Sequence, residues 1–362
     1  MINVTKTEMP PLSEYMGYLK KIWKSSWLTN DGEFITELEK KLARYLDVPY
    51  VVCVANGTLA IQLALKALDL SGEVITTPFT FPATTNAIIW EGLTPVFADI
   101  EYDTFNLDPT EVVKKITPKS SAILAVHVYG NPCEVEKLQE IAKRFKLKLI
   151  FDAAHAFGVK YKNRSVLQYG DISTLSFHAT KIFSSAEGGA IIVKDKKIYE
   201  KLRLLRNFGI KNEDEVVLPG INAKMNELQA ALGLCNIKTI DKRINACKKI
   251  YLIYLKRFRF NPNIRLQKLV SSRHNYCYMP IVLKSRKIRN SVFKKLVNQG
   301  IKPRKYFYPL ISDFDHIRKY TGSQKLRVAK RVADGILCLP IFPSLNLKNT
   351  DRIIKIVTNY FK

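Results

Sequence analysis

Two side chains stand where the chain could carry acid–base and Schiff-base chemistry. Asp152 lies near the end of the apolar run LKLIFDAA, and Lys181 comes soon after the apolar run STLSFHA. Ligand groups in open α/β sheets gather at the carboxyl ends of strands. A lysine held in a cleft there loses hydration, which lowers the pKa of its amine toward Schiff-base chemistry. An aspartate at a strand end is as often a helix cap, and a lysine is by default a surface residue, so neither assigns a function alone.

The surrounding elements predict an α/β fold, because apolar runs alternate with amphipathic stretches from about residue 33 onward. The predicted strands of a mostly parallel sheet are YVVCVA, GEVITT, TPVFADI, SAILAVHVY, LKLIFDAA, STLSFHA and GGAIIVKD. We expect an N-terminal arm and a large domain over residues 1–240. A linking helix and a smaller C-terminal α+β domain, with NYCYMPIVL as a strand, are expected over residues 241–362.

Length and composition indicate a globular protein and argue against disordered and fibrous classes, since 47% of the 362 residues are hydrophobic and 25% are charged. No apolar run reaches the roughly 18 residues that span a membrane, and MINVTKTEMPP lacks the apolar stretch of a secretory signal. We therefore expect a cytoplasmic protein without a membrane partner. Scattered cysteines predict buried, reduced thiols and neither disulfides nor a metal site; they are Cys53, Cys133, Cys235, Cys247, Cys277 and Cys338.

The net charge of +26 raises a nucleic-acid-binding alternative. Its lysines and arginines are spread along predicted helices such as KKIYEKLRLLR, without a basic block or interleaved stacking aromatics. We therefore expect no nucleic-acid partner. A positive field would still speed the encounter with a dianionic substrate.

An ordered set of segments resembles the DegT/StrS-type sugar aminotransferases, a group within the aspartate aminotransferase fold of pyridoxal 5′-phosphate (PLP) enzymes. The segments are WLTNDG, ANGTLAIQLAL, EVITTPFTFPATTNAI, PVFADI, HVYGNP, DAAHAFG, SFHATK, EGGA, INAKMNELQAALG, KYFYPL and ILCLPIFP. They cover nearly the whole chain. The resemblance implies the PLP fold type I, with a mostly parallel seven-stranded sheet in the large domain.

The resemblance also implies roles around the cofactor. Lys181 resembles the lysine that carries PLP and shuttles the substrate proton, and Asp152 resembles the partner of the pyridine nitrogen. His155 resembles the group beside the phenolic oxygen, and its alternative is a hydrogen-bonded core histidine. Phe81 resembles the aromatic residue that lies on the pyridine ring, with core filling as its alternative.

Phosphate binding is expected at a predicted helix start, where backbone N–H groups and the helix dipole favour an anion. Gly57 and Thr58 stand at that start, and Ser176 resembles the family's serine ligand to the same phosphate. Asn222 resembles an asparagine that reaches the phosphate from the neighbouring subunit, which implies a homodimer with sites at the subunit interface. Lys224 stands where many members carry arginine, so no bidentate contact is carried over.

The substrate is expected to be a nucleotide-linked sugar. His178 lies in a Ser-Phe-His segment that resembles the one in many relatives that aminate at C4, whereas many C3 enzymes carry tyrosine at this position. The resemblance therefore implies amination at C4. The whole set most resembles enzymes that make dTDP-4-amino-4,6-dideoxyglucose, with glutamate as donor, for surface polysaccharide such as O-antigen. Arg304, Tyr306, Tyr308 and Trp27 are candidate substrate contacts. Amination at C3, a UDP-linked substrate and, remotely, a PLP-binding regulator stay open, whereas Lys181 argues against the relatives that dehydrate, which carry histidine there.

Overall fold

The computed structural model describes residues 1–361. Its helices are α1 (Leu12–Ser25), α2 (Glu33–Leu46), α3 (Gly57–Ala67), α4 (Pro82–Trp90), α5 (Pro109–Lys115), α6 (Val135–Phe145), α7 (Lys196–Leu205), α8 (Glu227–Ile237), α9 (Ile240–Phe258), α10 (Arg286–Asn298), α11 (Asp315–Thr321), α12 (Arg327–Gly335) and α13 (Leu347–Thr358). Its strands are β1 (Ile2–Asn3), β2 (Tyr50–Val54), β3 (Glu73–Thr76), β4 (Thr94–Phe97), β5 (Ser120–Val126), β6 (Lys148–Asp152), β7 (Lys160–Tyr161), β8 (Arg164–Ser165), β9 (Ile172–Ser176), β10 (Gly189–Val193), β11 (Ile210–Asn212), β12 (Glu215–Val216), β13 (Ile264–Leu266), β14 (Met279–Leu283), β15 (Ile301–Lys302) and β16 (Ile336–Leu339).

A seven-stranded sheet forms the centre of the fold, with the strand order β2, β10, β9, β6, β5, β3, β4. The pairs from β9 to β4 are parallel, and β10 is antiparallel to both of its neighbours. The sheet is therefore parallel apart from one reversed strand. This confirms the predicted α/β fold class with its mostly parallel seven-stranded sheet.

The strands are apolar almost throughout because both faces of the sheet are covered. In β5, Ile123 and Ala125 belong to one hydrophobic cluster, whereas Ala122 and Leu124 belong to another on the opposite face. Successive side chains of a strand point to opposite faces, so a strand buried on both sides reads as a continuous apolar run. The runs seen in the sequence follow from this two-sided burial.

The parallel strands end at one edge of the sheet, and this edge positions the candidate site. Asp152 is the last residue of β6 and Ser176 is the last residue of β9. The reversed strand β10 starts at the same edge, where Gly189 pairs with both Val54 and Ser176. The chain segments just before β10 therefore reach the same place as the ends of the parallel strands.

A second, antiparallel sheet has three strands in the order β13, β14, β16. Helices α10 and α12 pack on it. The division of the chain at residue 240 stays a prediction, although the long helix α9 begins there. Helix α1 packs on α8, where the Tyr15 hydroxyl donates to the Leu228 carbonyl oxygen at 3.1 Å. The first residues do more than pack on the large domain as an arm, because β1 pairs in parallel with β15 in the C-terminal part of the chain.

The segment that follows β1 connects the two sheets. The Ile341 N–H donates to the Val4 carbonyl oxygen at 3.0 Å. Three residues later in the chain, the Thr7 hydroxyl donates to the Ala179 carbonyl oxygen at 2.9 Å, and Ala179 lies two positions before Lys181. Residues 2–8 thus span from the C-terminal part of the fold to the lysine segment.

All six cysteines are buried, as predicted. Within residues 1–361, each helix is too short or too polar to cross a membrane. Over the same residues, no three His, Cys, Asp or Glu side chains are grouped so that they could hold a metal ion.

Candidate active site

A cavity of about 270 Å³ opens at the carboxyl edge of the seven-stranded sheet. Many of the residues singled out from the sequence line it, and these are Gly57, Thr58, Phe81, Asp152, His155, Ser176, His178, Lys181, Arg304 and Tyr306. They come from loops that are far apart in the chain, and the sheet brings them together. The fold thus brings these separate segments together at one site.

Asp152 is a buried carboxylate at the end of β6, with 5% of its surface exposed. Its Oδ2 accepts a hydrogen bond from the Thr84 hydroxyl at 2.7 Å, and its Oδ1 accepts one from the Ala154 N–H at 3.1 Å. Burial raises the pKa of Asp152, and both hydrogen bonds and nearby Lys181 act against that rise. The two hydrogen-bond donors are neutral, so the carboxylate is suited to a cationic or protonated partner in the cavity.

Lys181 lies in a turn that follows β9, where the backbone N–H of Lys181 donates to the His178 carbonyl oxygen at 2.9 Å. Burial lowers the pKa of the Lys181 amine; Arg304 lowers it further, whereas Cys277 and Asp152 act in the opposite direction. A lysine whose pKa is lowered has more of the neutral amine available as a nucleophile and base near neutral pH. A small cleft behind Lys181 is lined in part by Thr5 and Glu8 of the N-terminal segment.

His155 is buried beside the cavity, and its ring centroid lies 4.3 Å from that of Tyr278. Burial lowers the pKa of His155 well below its ordinary value, and Lys181 adds to this effect, so the ring is neutral near pH 7. Its Nδ1 accepts a hydrogen bond from the Tyr129 N–H at 3.3 Å. This bond assigns the proton of the neutral ring to Nε2, which makes His155 a hydrogen-bond donor on its other side.

An anion cradle is formed where α3 starts beside the ends of two strands. The Asn56 side chain caps the helix by accepting from the Leu59 N–H at 2.9 Å, and the first turn contains no acidic residue. A Cβ on Gly57 would lie 2.8 Å from the Ser176 Cβ, so only glycine allows this close approach. The helix N-terminus, the Thr58 hydroxyl and the Ser176 hydroxyl are thereby assembled at one end of the cavity.

Phe81 precedes Pro82 at the start of α4 and leaves half of its surface exposed beside the cavity. It is not part of the buried core. An aromatic ring exposed in this position can cover the face of a planar ligand.

A second wall of the cavity is basic and aromatic. The Arg304 guanidinium lies 4.1 Å from the centroid of the Tyr306 ring. His178 lies on the same cavity, and its Nδ1 is 2.8 Å from the Thr180 hydroxyl oxygen. These groups could contact an anionic, hydroxyl-bearing ligand.

Four of the residues predicted for the site do not line this cavity. Trp27 is 55% exposed on another face, beside Asp31 and Glu33. Tyr308 packs under Arg289, whose guanidinium carbon lies 4.1 Å from the ring centroid. The resemblance predicted that both residues lie near the substrate, but in the structure of one chain neither lines the cavity.

Asn222 and Lys224 also lie outside the cavity of their own chain. Asn222 is exposed and forms an isolated backbone bridge with Asn207. The Lys224 amine donates to the Asn207 side-chain oxygen at 2.7 Å, and it lies 4.8 Å from the centroid of the Phe208 ring. A contact of either residue with the cavity would therefore have to be made in another copy of the chain.

Several residues of the site were not identified from the sequence. Thr84 binds Asp152 directly, Tyr278 packs on His155, and Glu187 and Thr180 flank His178. Thr80 and Thr84 are four residues apart on either side of the start of α4, and the sequence analysis assigned neither of them a role. Tyr278 directly precedes β14, far from His155 in the chain, and nothing in its local sequence distinguished it from a core residue.

The arrangement fits a planar ligand that carries a phosphate, a basic ring nitrogen and an electrophilic carbon. The anion cradle would take the phosphate, the buried carboxylate of Asp152 would take the ring nitrogen, and the Lys181 amine would take the electrophile.

Comparisons with known proteins agree with this geometry. The sequence profile of the DegT/DnrJ/EryC1/StrS aminotransferase family matches residues 12–358. The chain is 44% identical over 362 residues to a dTDP-4-amino-4,6-dideoxy-D-glucose transaminase of Escherichia coli, with 98% of each chain covered. It is 40% identical over 363 residues to a protein of the same name from Shigella dysenteriae, again with 98% of each covered.

Among solved structures, the chain superposes with a TM-score of 0.92 on DesI, which was crystallised in the presence of its TDP-sugar product. The two chains are 32% identical, and the match covers 98% of this chain and 92% of DesI. The matched profile, the full-length relatives and the shared fold lead to one conclusion, and it is the one that the ordered segments predicted. This chain belongs to the DegT/DnrJ/EryC1/StrS aminotransferase family.

Proposed function

We propose that this protein is a PLP-dependent enzyme that transfers an amino group from glutamate to C4 of dTDP-4-keto-6-deoxyglucose. The product would be dTDP-4-amino-4,6-dideoxyglucose. The observation that carries this proposal is the full-length identity of 44% to a relative named for that product. The proposal includes a cytoplasmic location and a role in surface polysaccharide biosynthesis.

PLP fits the residues that form the cavity. In this proposal Gly57, Thr58 and Ser176 bind its phosphate, Phe81 covers its ring, and His155 donates from Nε2 to its phenolic oxygen. When bound, PLP supplies an electrophilic carbon and an aromatic ring that accepts electrons. Support comes from the close approach of Gly57 to Ser176, which places the Ser176 hydroxyl beside the N-terminus of α3 on the cavity.

Asp152 would hold a proton on the ring nitrogen by placing a carboxylate beside it. The Thr84 and Ala154 hydrogen bonds favour the ionised carboxylate, although burial raises its pKa. A positively charged partner would offset the cost of burying that charge. This reciprocal stabilisation explains why an aspartate, rather than a neutral amide, stands at the end of β6.

Lys181 would serve as the attachment residue and as the base that moves the substrate proton. Its lowered pKa makes the neutral amine accessible, so Nζ can accept a proton from the reacting carbon and return it. Its backbone turn and the Thr7 contact at Ala179 fix the segment from which Nζ extends. The lysine is thereby oriented as well as activated.

The active enzyme in this proposal is a homodimer in which Asn222 of one copy reaches the phosphate bound by the other. Asn222 is exposed, and Phe208, Ile210 and Ile221 beside it are also exposed, each with 39% to 46% of its surface accessible. A cluster of exposed apolar side chains marks a surface for protein contact. Lys224 and Trp27, which lie outside their own cavity, would reach a site through the same interface.

The nucleotide sugar would lie along the basic and aromatic wall, with Arg304 and Tyr306 near the nucleotide or diphosphate and His178 near the sugar. The net charge of +26 favours the approach of a diphosphate. Tyr308 would act indirectly, by supporting the segment that carries Arg304 and Tyr306.

The decisive experiment is NMR analysis of the product formed from dTDP-4-keto-6-deoxyglucose, glutamate and PLP. The expected product carries an equatorial amine at C4. If the enzyme prefers the 3-keto isomer, the reaction is amination at C3. If it prefers a UDP-linked sugar, the substrate carries UDP rather than dTDP. No turnover together with a salt-dependent gel shift on DNA would favour a regulator instead.

A further inference from the structure

We propose that Glu187 is a specificity-determining residue that, paired with His178, binds hydroxyl groups of the sugar ring. This inference rests on the proposed function and deepens it, because it concerns how the same cavity distinguishes the sugar substrate from the amino donor. Neither the sequence segments nor the family comparison assigned a role to Glu187.

Glu187 lies on the cavity beside His178, with the two side chains facing each other. Its Oε1 is 3.6 Å from the Nε2 of His178, and the opposite ring atom, Nδ1, is 2.8 Å from the Thr180 hydroxyl oxygen. The ring is thus held between two polar groups. Both side chains stay accessible, at 56% for Glu187 and 45% for His178, so they can still bind a ligand.

The turn that carries Glu187 is built to fix its position. The Ser185 hydroxyl donates to the Glu187 carbonyl oxygen at 2.9 Å, and Ala186 has a φ of 67°, in the left-handed region that non-glycine residues rarely adopt. A Cβ on Gly188 would lie 2.2 Å from the Ser185 Oγ, and one on Gly189 would lie 2.6 Å from the Asn56 carbonyl oxygen. A loop this constrained holds its one charged side chain at a defined place.

Backbone hydrogen bonds close the same loop on itself. The Phe177 N–H donates to the Gly188 carbonyl oxygen at 2.7 Å, and the Ser185 N–H donates to the Phe177 carbonyl oxygen at 2.9 Å. His178 follows directly after Phe177, so the segments carrying His178 and Glu187 are joined at their bases. The pair is therefore a preformed unit rather than a chance approach of two surface side chains.

The charge of Glu187 limits what it can bind. Of the residues lining the cavity, Asp152 is the other acid, and it is buried at the end of β6. Glu187 would repel the diphosphate of a nucleotide sugar and the carboxylates of an amino donor. A carboxylate accepts strong hydrogen bonds from hydroxyl groups, and an adjacent imidazole can donate to the same ring. The chemistry that fits is the neutral, hydroxyl-bearing part of the substrate.

The test uses the PLP-loaded wild type, Glu187→Gln and Glu187→Asp, with Glu200→Gln as a matched control. Glu200 is 59% exposed on α7, which is close to the exposure of Glu187. Calorimetry would give the affinity for dTDP-4-amino-4,6-dideoxyglucose and for dTDP alone. Kinetics would give KM and kcat for dTDP-4-keto-6-deoxyglucose, and the rate of the half-reaction with glutamate would be followed by absorbance.

Glu187→Gln should weaken binding of the nucleotide sugar by about tenfold or more, the effect of losing a hydrogen bond to a charged group. Its affinity for dTDP and its half-reaction with glutamate should not fall below those of the wild type, because the substitution also removes a charge that repels anions. Glu187→Asp should recover part of the loss, and Glu200→Gln should behave as wild type. An unchanged affinity for the nucleotide sugar, or an equal loss for dTDP, overturns the inference. A wild type that neither binds nor aminates the dTDP-sugar overturns the proposed function, and this inference with it.

Discussion

The Thr84 hydroxyl donates a 2.7 Å hydrogen bond to Oδ2 of Asp152, and Thr80 lies 2.7 Å from Thr84 on its other side. Since the Thr84 proton is committed to the carboxylate, the Thr80 hydroxyl donates to Thr84. The two threonines, on either side of the start of α4, therefore form a series of hydrogen bonds that ends on the carboxylate. These hydrogen bonds orient Asp152 and favour its ionised form.

Thr84→Val should reduce kcat by roughly 10- to 100-fold, since removing a hydrogen bond to a charged group costs about 1.5–3 kcal/mol. Thr84→Ser, which keeps the hydroxyl, should retain most of the activity. Asp152→Asn should cost on the order of 100-fold or more, because a neutral amide cannot hold the ring nitrogen protonated. Steady-state kinetics on the three variants provide the measurement, and near-normal turnover of Asp152→Asn would refute the assigned role.

Lys181→Ala should abolish turnover while leaving the fold intact, because a lysine at a cavity contributes little to the core. Borohydride reduction of the PLP-loaded wild type, followed by peptide mapping, should place the fluorescent label on Lys181. Circular dichroism of the variant checks that it is folded. A label found on another lysine would show that the attachment residue has been misassigned.

The PLP-free protein should reveal the lowered pKa of Lys181 through its stability. Burial lowers this pKa below 10.5 in the folded chain, so the unfolded chain binds more protons between the folded pKa and 10.5. Stability therefore rises with pH across that window. Lys181→Met removes this titration, so the melting temperature of the variant relative to wild type should be highest near pH 7 and fall as the pH approaches 10.

Thermal denaturation between pH 7 and 9.5 would measure this difference. Lys20→Met, at an exposed position of α1, serves as the control. A difference between Lys181→Met and wild type that stays constant with pH would argue against a depressed pKa.

Asn222 is expected to act on the site of the other copy. When Lys181→Ala and Asn222→Ala chains are mixed and allowed to exchange, mixed dimers should contain one site with both residues intact. Activity should then return, up to one working site in each mixed dimer. If mixing restores neither activity nor affinity for PLP, the contact is made within one chain or not at all.

His178→Tyr should slow the reaction with the sugar more than the half-reaction with glutamate, because His178 faces the part of the cavity assigned to the sugar. A misplacement of about 1 Å near a reacting carbon can cost about 100-fold in rate. The two half-reactions can be followed separately by absorbance. An equal loss in both would mean that His178 supports the cofactor instead, and amination of the 3-keto sugar by wild type would overturn the C4 assignment.

The apolar runs in the sequence predicted the site residues that lie at the carboxyl ends of strands. Asp152 and Ser176 end apolar runs, and a run buried on both faces marks a strand whose carboxyl end is open to ligands. The orientation of β10 was not predictable, because an apolar run reads the same in either direction. Glu187 was missed for this reason, since only a reversed strand brings the residues before it to the same edge.

The positions of Trp27 and Asn222 show a different limit. Resemblance can imply a contact with another copy of the chain, as it does for Asn222, whereas periodicity carries information only on the fold of one chain. Both residues lie outside the cavity of their own chain, so their distances to a site could not follow from strand and helix patterns. The pairing of β1 with β15 was equally hidden, because two-residue strands carry no periodicity.

The pairing of β1 with β15 bears on the order in which the protein matures. These strands are about 300 residues apart, and contacts between distant segments form late because closing a long loop costs entropy. During synthesis, β1 emerges before β15 and must wait for this partner. The residues that follow it, Thr5 and Glu8, line the cleft behind Lys181. Ile341 and Phe342 line the same cleft, so this cleft can be completed only after more than 340 residues have been made.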